Sequence, residues 1–134
     1  MITVDSASRA YTYLSFSTKE EGKYLASLTA GPTFKIILWE WDKVRARANI
    51  EVTGFQMINQ MFFHSQDDNI FVLGQANNPL KVYTLKNDKS EIILHHKADA
   101  IKDMIKHYCN NFISYCMLPE NNMIIGTEEG ELLY

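Results

Sequence analysis

The sequence predicts an all-β fold, and three observations carry that prediction. Apolar residues recur with the two-residue period of strands and almost never with the helical one. Short alternating runs are separated by turn-forming Gly, Asn, Asp and Pro. The whole pattern then starts again: Leu14 corresponds to Met61, Tyr24 to Ile70 and Trp39 to Tyr83, at separations of 47, 46 and 44 residues.

The elements follow in order. Residues 11–17 alternate and are rich in aromatics and Thr, so they read as a strand. A polar turn at 19–22 ends on Gly22, placed to take a positive φ in the hairpin to the strand at 24–29. The break 30–33 contains Gly31 and Pro32, a strand spans 35–41, and Asp42 and Lys43 separate it from the strand at 44–50. This makes one four-stranded antiparallel meander, assigned to 11–50. A second, assigned to 57–97, has strands at 57–64, 70–74, 80–85 and 91–97. A third, incomplete one over 111–134 has strands at 112–118 and 123–127 and stops after 131–134.

A single twisted four-stranded sheet cannot bury both faces alone, and stacking around an axis solves this. A four-stranded unit repeated about every 40–50 residues therefore predicts a β-propeller segment of about two and a half blades. An irregularly spaced β-sandwich is the alternative. Between the second and third units, Ile101, Met104, Ile105 and Tyr108 fall at helical spacing, predicting a short helical insertion over 98–108. Such an insertion either lies on a binding face or simply caps a blade end. Two and a half blades cannot close a ring of about four to eight. The chain is therefore expected to be part of a larger protein or complex, with residues 2–4 as an outer strand of a preceding blade.

Composition bounds the function. With 46% hydrophobic residues, 134 residues can bury a core. Thirteen Lys and Arg against 16 Asp and Glu leave a net charge of −3, which speaks against a nucleic-acid-binding face. The densest basic group, Lys43, Arg45 and Arg47, alternates with Val44 and Ala46, as the solvent face of a strand does. Two cysteines, Cys109 and Cys116, are too few for a disulfide scaffold and predict reduced thiols in the cytosol. No apolar run approaches the roughly 20 residues that cross a bilayer, and no signal peptide is visible, so no membrane partner is expected.

The sequence carries no recognisable catalytic or metal motif. No Gly-rich phosphate loop occurs. His95 and His96 point to opposite faces of a strand, and no Cys or His pair has zinc-ligand spacing, so no metal is expected. His107 and Cys109 share a strand face without the geometry of a thiolate pair, and the acid pairs Asp67-Asp68 and Glu128-Glu129 lie in solvated turns. The chain is therefore expected to be non-enzymatic and without cofactor. A binding surface remains. The loops 30–34 and 75–79 both join second to third strands, so Pro32, Phe34, Asn77, Asn78 and Pro79 form the candidate partner-binding face. Gly22, Trp39 and Trp41 are assigned structural roles.

Particular residues also resemble a known family. Phe16-Ser17, then Gly22-Lys23-Tyr24-Leu25-Ala26-Ser27, resemble the opening of a WD repeat. Trp39-Glu40 sits where such repeats place Trp-Asp, and Tyr83-Thr84 is its degenerate counterpart. The usual Gly-His pair is missing, so the full Asp-His-Ser-Trp hydrogen-bond set of a well-formed blade cannot be built. Leu38-Trp39-Glu40-Trp41, Leu118-Pro119-Glu120 and the stretch 125–133 look like repeats of large cilia- and flagella-associated WD-repeat proteins, of the type that tethers an inner-arm dynein. The resemblance covers about residues 11–134. It implies a WD40-type propeller acting as a non-catalytic scaffold in the cytoskeleton of the ciliary or flagellar axoneme. Its partners would be other axonemal proteins, dynein-tether or microtubule-associated components. The family's long coiled coils have no counterpart here. A general cytosolic WD-repeat adaptor is the alternative, and a hydrolase, which some propellers are, is a third class.

Overall fold

A computed structural model describes residues 10–19, 21–86, 89–95 and 109–134. The expected strand at 2–4 and helix at 98–108 lie outside the described residues, as do His96 and His107.

The described chain is all-β, in three antiparallel sheets. Strands β1 (Tyr11–Phe16), β2 (Tyr24–Thr29), β3 (Phe34–Glu40) and β4 (Arg45–Val52) pair in chain order. So do β5 (Phe55–Phe63), β6 (Asn69–Ala76), β7 (Leu80–Lys86) and β8 (Glu91–His95). The third sheet holds β9 (Phe112–Met117), β10 (Met123–Thr127) and the short β11 (Leu132–Leu133). Two 3-10 turns, Trp41–Lys43 and Pro119–Asn121, are the only helical elements among the described residues. None is long and apolar enough to cross a membrane.

The strand period decides how the sheets stack. Alternate residues of β5 and β6 point to opposite faces, so neighbours in sequence enter different cores. Met61 and Phe63 of β5, with Val72 of β6, pack against Ala26, Leu28, Ile36 and Leu38 of the first sheet. Phe62 and Leu73, one position away, pack with Phe112 and Ile125 of the third. The middle sheet is thus covered on both faces. Leu28, Ile36, Leu38, Ile70 and Val72 have no exposed surface. Each stabilises the stack by about 1.5–3 kcal/mol of apolar burial. Phe62 lies flat between Phe71 and Tyr115, with ring centroids at 5.4 Å and 3.5 Å.

Polar ties fix the stacking register. The Phe63 amide donates to the Ser15 hydroxyl at 3.0 Å, and the Thr18 hydroxyl contacts the His64 and Ser65 carbonyls at 3.0 Å and 2.9 Å. The β1–β2 and β5–β6 hairpins therefore lie at the same end of the stack. At the junction of the second and third sheets, the Asn59 amide donates to the Asn111 Oδ1 at 2.7 Å and the Phe112 carbonyl at 2.8 Å.

Candidate functional site

Trp39 lies in β3 and Gly22 in the turn between β1 and β2. Trp39 is buried, and its Nε1 donates to the Ser27 Oγ at 2.8 Å across β2 and β3. Ser27 thus satisfies the buried indole N–H. Tyr83, its counterpart in the second sheet, is buried too, and that burial pushes its hydroxyl pKa up to about 12. Gly22 sits at φ 76°, a left-handed conformation suited to glycine, and its amide donates to the Ser17 carbonyl at 2.9 Å. Trp41 stands outside the core, 46% exposed. Its Nε1 donates to the Gly22 carbonyl at 2.6 Å and its ring meets Phe16 edge-on, so it ties the β3–β4 turn to the first hairpin.

The two loops proposed as a binding face lie at the opposite end from those hairpins, and they supply fewer contacts than their sequence suggests. Pro32 and Asn77 are exposed, and Asn78 is half-buried. Phe34 is not a loop tip. It is the first residue of β3, paired with Val52 and in phase with Ile36 and Leu38, so the strand period turns its ring onto the core. Pro79 is buried, and its carbonyl accepts the Gly74 amide at 3.0 Å. The exposed part of this face reduces to Pro32, Asn77 and part of Asn78.

The basic group at the β3–β4 turn is not simply a solvated strand face. Glu40, at the end of β3, is 3% exposed, yet three cations converge on its carboxylate. Lys43 Nζ lies at 2.5 Å, an Arg45 guanidinium nitrogen at 2.7 Å and one of Arg47 at 4.0 Å. Hydrogen bonds from Lys43 and then Arg45 hold the Glu40 carboxyl down to about 2, against the opposing effect of burial. These residues line an open cleft of about 420 Å³ together with Lys23, Tyr24 and Lys89. The Lys89 ammonium stands 4.4 Å from the Tyr24 ring centroid, and that of Lys23 stands 5.3 Å from it. Lys89 comes from the β7–β8 connection of the second sheet, so the cleft spans two sheets. Desolvation lowers its pKa.

Glu40 is not among the site residues expected from the sequence. The available signal was a carboxylate at a strand end followed by cations at three, five and seven residues across a tight turn. Hairpin pairing sets Arg45 directly opposite Glu40.

Cys109 is buried with its thiol 3.4 Å from the Asn111 carbonyl, Cys116 is exposed, and both are free thiols. Among the described residues, no group of three or more His, Cys, Asp or Glu is placed to hold a metal ion.

No family model matches the chain. It is similar to cilia- and flagella-associated protein 57 A of Tetrahymena thermophila, with 27% identity over 137 aligned residues. The match covers 98% of this chain and 10% of that protein, so the chain spans about a tenth of its relative's length.

Proposed function

We propose that the three sheets are consecutive blades of a WD-type β-propeller, the third of them incomplete. In this reading the chain is part of a non-catalytic scaffold of the ciliary or flagellar axoneme, whose protein contacts anchor or regulate axonemal dynein and so ciliary motility. The observation that carries the ciliary assignment is the similarity, along nearly all of this chain, to a protein named for cilia and flagella. The blade assignment is supported by two four-stranded meanders in the same strand order, stacked face to face, with a third sheet continuing the stack. It is supported also by the buried Trp39–Ser27 hydrogen bond at the position where a WD repeat carries its Trp.

A scaffold binds through surface residues and needs no titratable centre. Pro32→Ala with Asn77→Ala, in the tagged full-length protein, should loosen retention on detergent-extracted axonemes by about 1–2 kcal/mol while folding is kept, as truncation of interface side chains commonly does. Cys109→Ala combined with His107→Ala should leave retention unchanged. If the Cys109 and His107 changes abolish retention and the loop changes are silent, the protein works through a chemical or metal site and the scaffold reading fails.

A further inference from the structure

The cleft beside Glu40 is organised by two buried anchors. Glu40 draws the Lys43 and Arg45 heads to its two carboxylate oxygens and holds Arg47 close by. Tyr24, 5% exposed, offers its ring to the ammonium groups of Lys23 and Lys89. Among the described lining residues there are five cations and one carboxylate, in a chain whose net charge is −3, and of those cations the buried Lys89 is also paired with Asp68 at 3.8 Å. Lys43 and Arg45 keep 58% and 53% of their side chains exposed although each is bonded to Glu40. A lysine ammonium carries three N–H donors and a guanidinium five, so donors beyond those bonded to Glu40 remain on both. The heads are held in place while part of each stays in water, which lowers the ordering cost of a second acceptor.

We propose that this cleft docks an acidic segment of a partner protein, a run of Glu or Asp whose carboxylates bridge Lys43 and Arg45 and lie in the field of Lys23 and Arg47. Size and composition favour a peptide. About 420 Å³ falls within the range of ligand sites and is open enough to admit an extended segment. Single-stranded nucleic acid is disfavoured because, among the described residues, the one aromatic lining the cleft, Tyr24, is buried and offers no stacking platform. The inference stands on the cleft alone and holds wherever in the cell the protein acts.

The test uses the full-length protein and a fluorescein-labelled octaglutamate peptide, read by fluorescence anisotropy at low and at physiological salt. Binding should weaken steeply with salt. Lys43→Gln and Arg45→Gln should each weaken it about tenfold, the scale of a charge-assisted hydrogen bond. Lys35→Gln removes the same charge from the exposed face of β3 outside the cleft and should change it less than twofold. Thermal melting verifies folding of each variant. If Arg45→Gln unfolds, Lys43→Gln and Lys23→Gln decide the matter. No binding, equal weakening by Lys35→Gln, or cleft-dependent binding of oligouridine or inorganic phosphate without binding of the peptide would each overturn the proposal.

Discussion

A methyl group at position 74 tests the packing of the second sheet at its tightest point. Gly74 lies in β6 opposite Ile58, beside the irregularity where the β5 register slips between Ile58 and Gln60. A Cβ built on Gly74 would stand 2.1 Å from the Met57 carbonyl oxygen, 2.8 Å from the Ile58 Cα and 3.0 Å from the Met57 carbonyl carbon. Carbon–oxygen contacts settle near about 3.3–3.6 Å, so the first overlap exceeds an ångström. All three atoms are backbone, so no rotamer change relieves the clash, and the strands must part. Overpacking typically costs about 1–3 kcal/mol, and each loosened ladder bond adds about 1 kcal/mol. Gly74→Ala should therefore lose about 3–4 kcal/mol, a large part of the roughly 5–15 kcal/mol that holds a domain folded. Amide hydrogen exchange in β5 and β6 peptides reads this locally. Protection should fall about a hundredfold or more, since about 1.4 kcal/mol is a factor of ten. Gly130→Ala is the contrast: no atom lies within 4 Å there, but φ is +83°, so only the left-handed penalty of about 1–2 kcal/mol applies. Protection in Gly74→Ala within threefold of the parent would refute the bulge-and-glycine account.

Three further outcomes are expected. Trp39→Ala should cost about 3–5 kcal/mol by denaturant unfolding, and Ser27→Ala about 1–3 kcal/mol because it strands the buried indole N–H; parent-like stability in Trp39→Ala would mean the indole does not anchor the first sheet. Glu40, held at about 2 when folded against an ordinary 4.5, contributes stability that is full above the ordinary value and is lost as pH falls toward 2. Tryptophan fluorescence between pH 5 and 2 should show a steeper loss of stability in the parent than in Glu40→Gln, and parallel curves would contradict the pairing. Asn59→Ala removes both bonds to Asn111 and Phe112 and should raise hydrogen exchange in β9 with little change in β2 and β3; uniform change across all three sheets would show the junction is not local.

The repeated meanders were legible because strand alternation and turn residues are local signals. Tyr11–Phe16, Tyr24–Thr29 and Met123–Thr127 fall within a residue of where the pattern puts them. The ends of β5 and β6 were not: β5 begins at Phe55, two residues before the expected start, and β6 runs to Ala76, into the expected break, because pairing across the sheet continues there. Gly74 reads in sequence as a strand end, yet it lies inside β6, and only the approach of the β5 backbone gives the reason. The candidate surfaces show the same division. Phe34 and Pro79 look like loop residues by their neighbours, but the phase of β3 turns Phe34 onto the core and Pro79 is buried. The Glu40 cluster is a convergence across a hairpin and a neighbouring sheet, and one-dimensional alternation shows its members only as scattered charges.

The most direct test of the scaffold proposal is to tag the full-length protein in a ciliated cell and follow it through detergent extraction of the cilia. The account predicts that the protein concentrates in cilia or flagella and stays with the axonemal microtubules after the membrane and soluble matrix are removed. Uniform cytosolic distribution, with complete release into the detergent-soluble fraction, would contradict it.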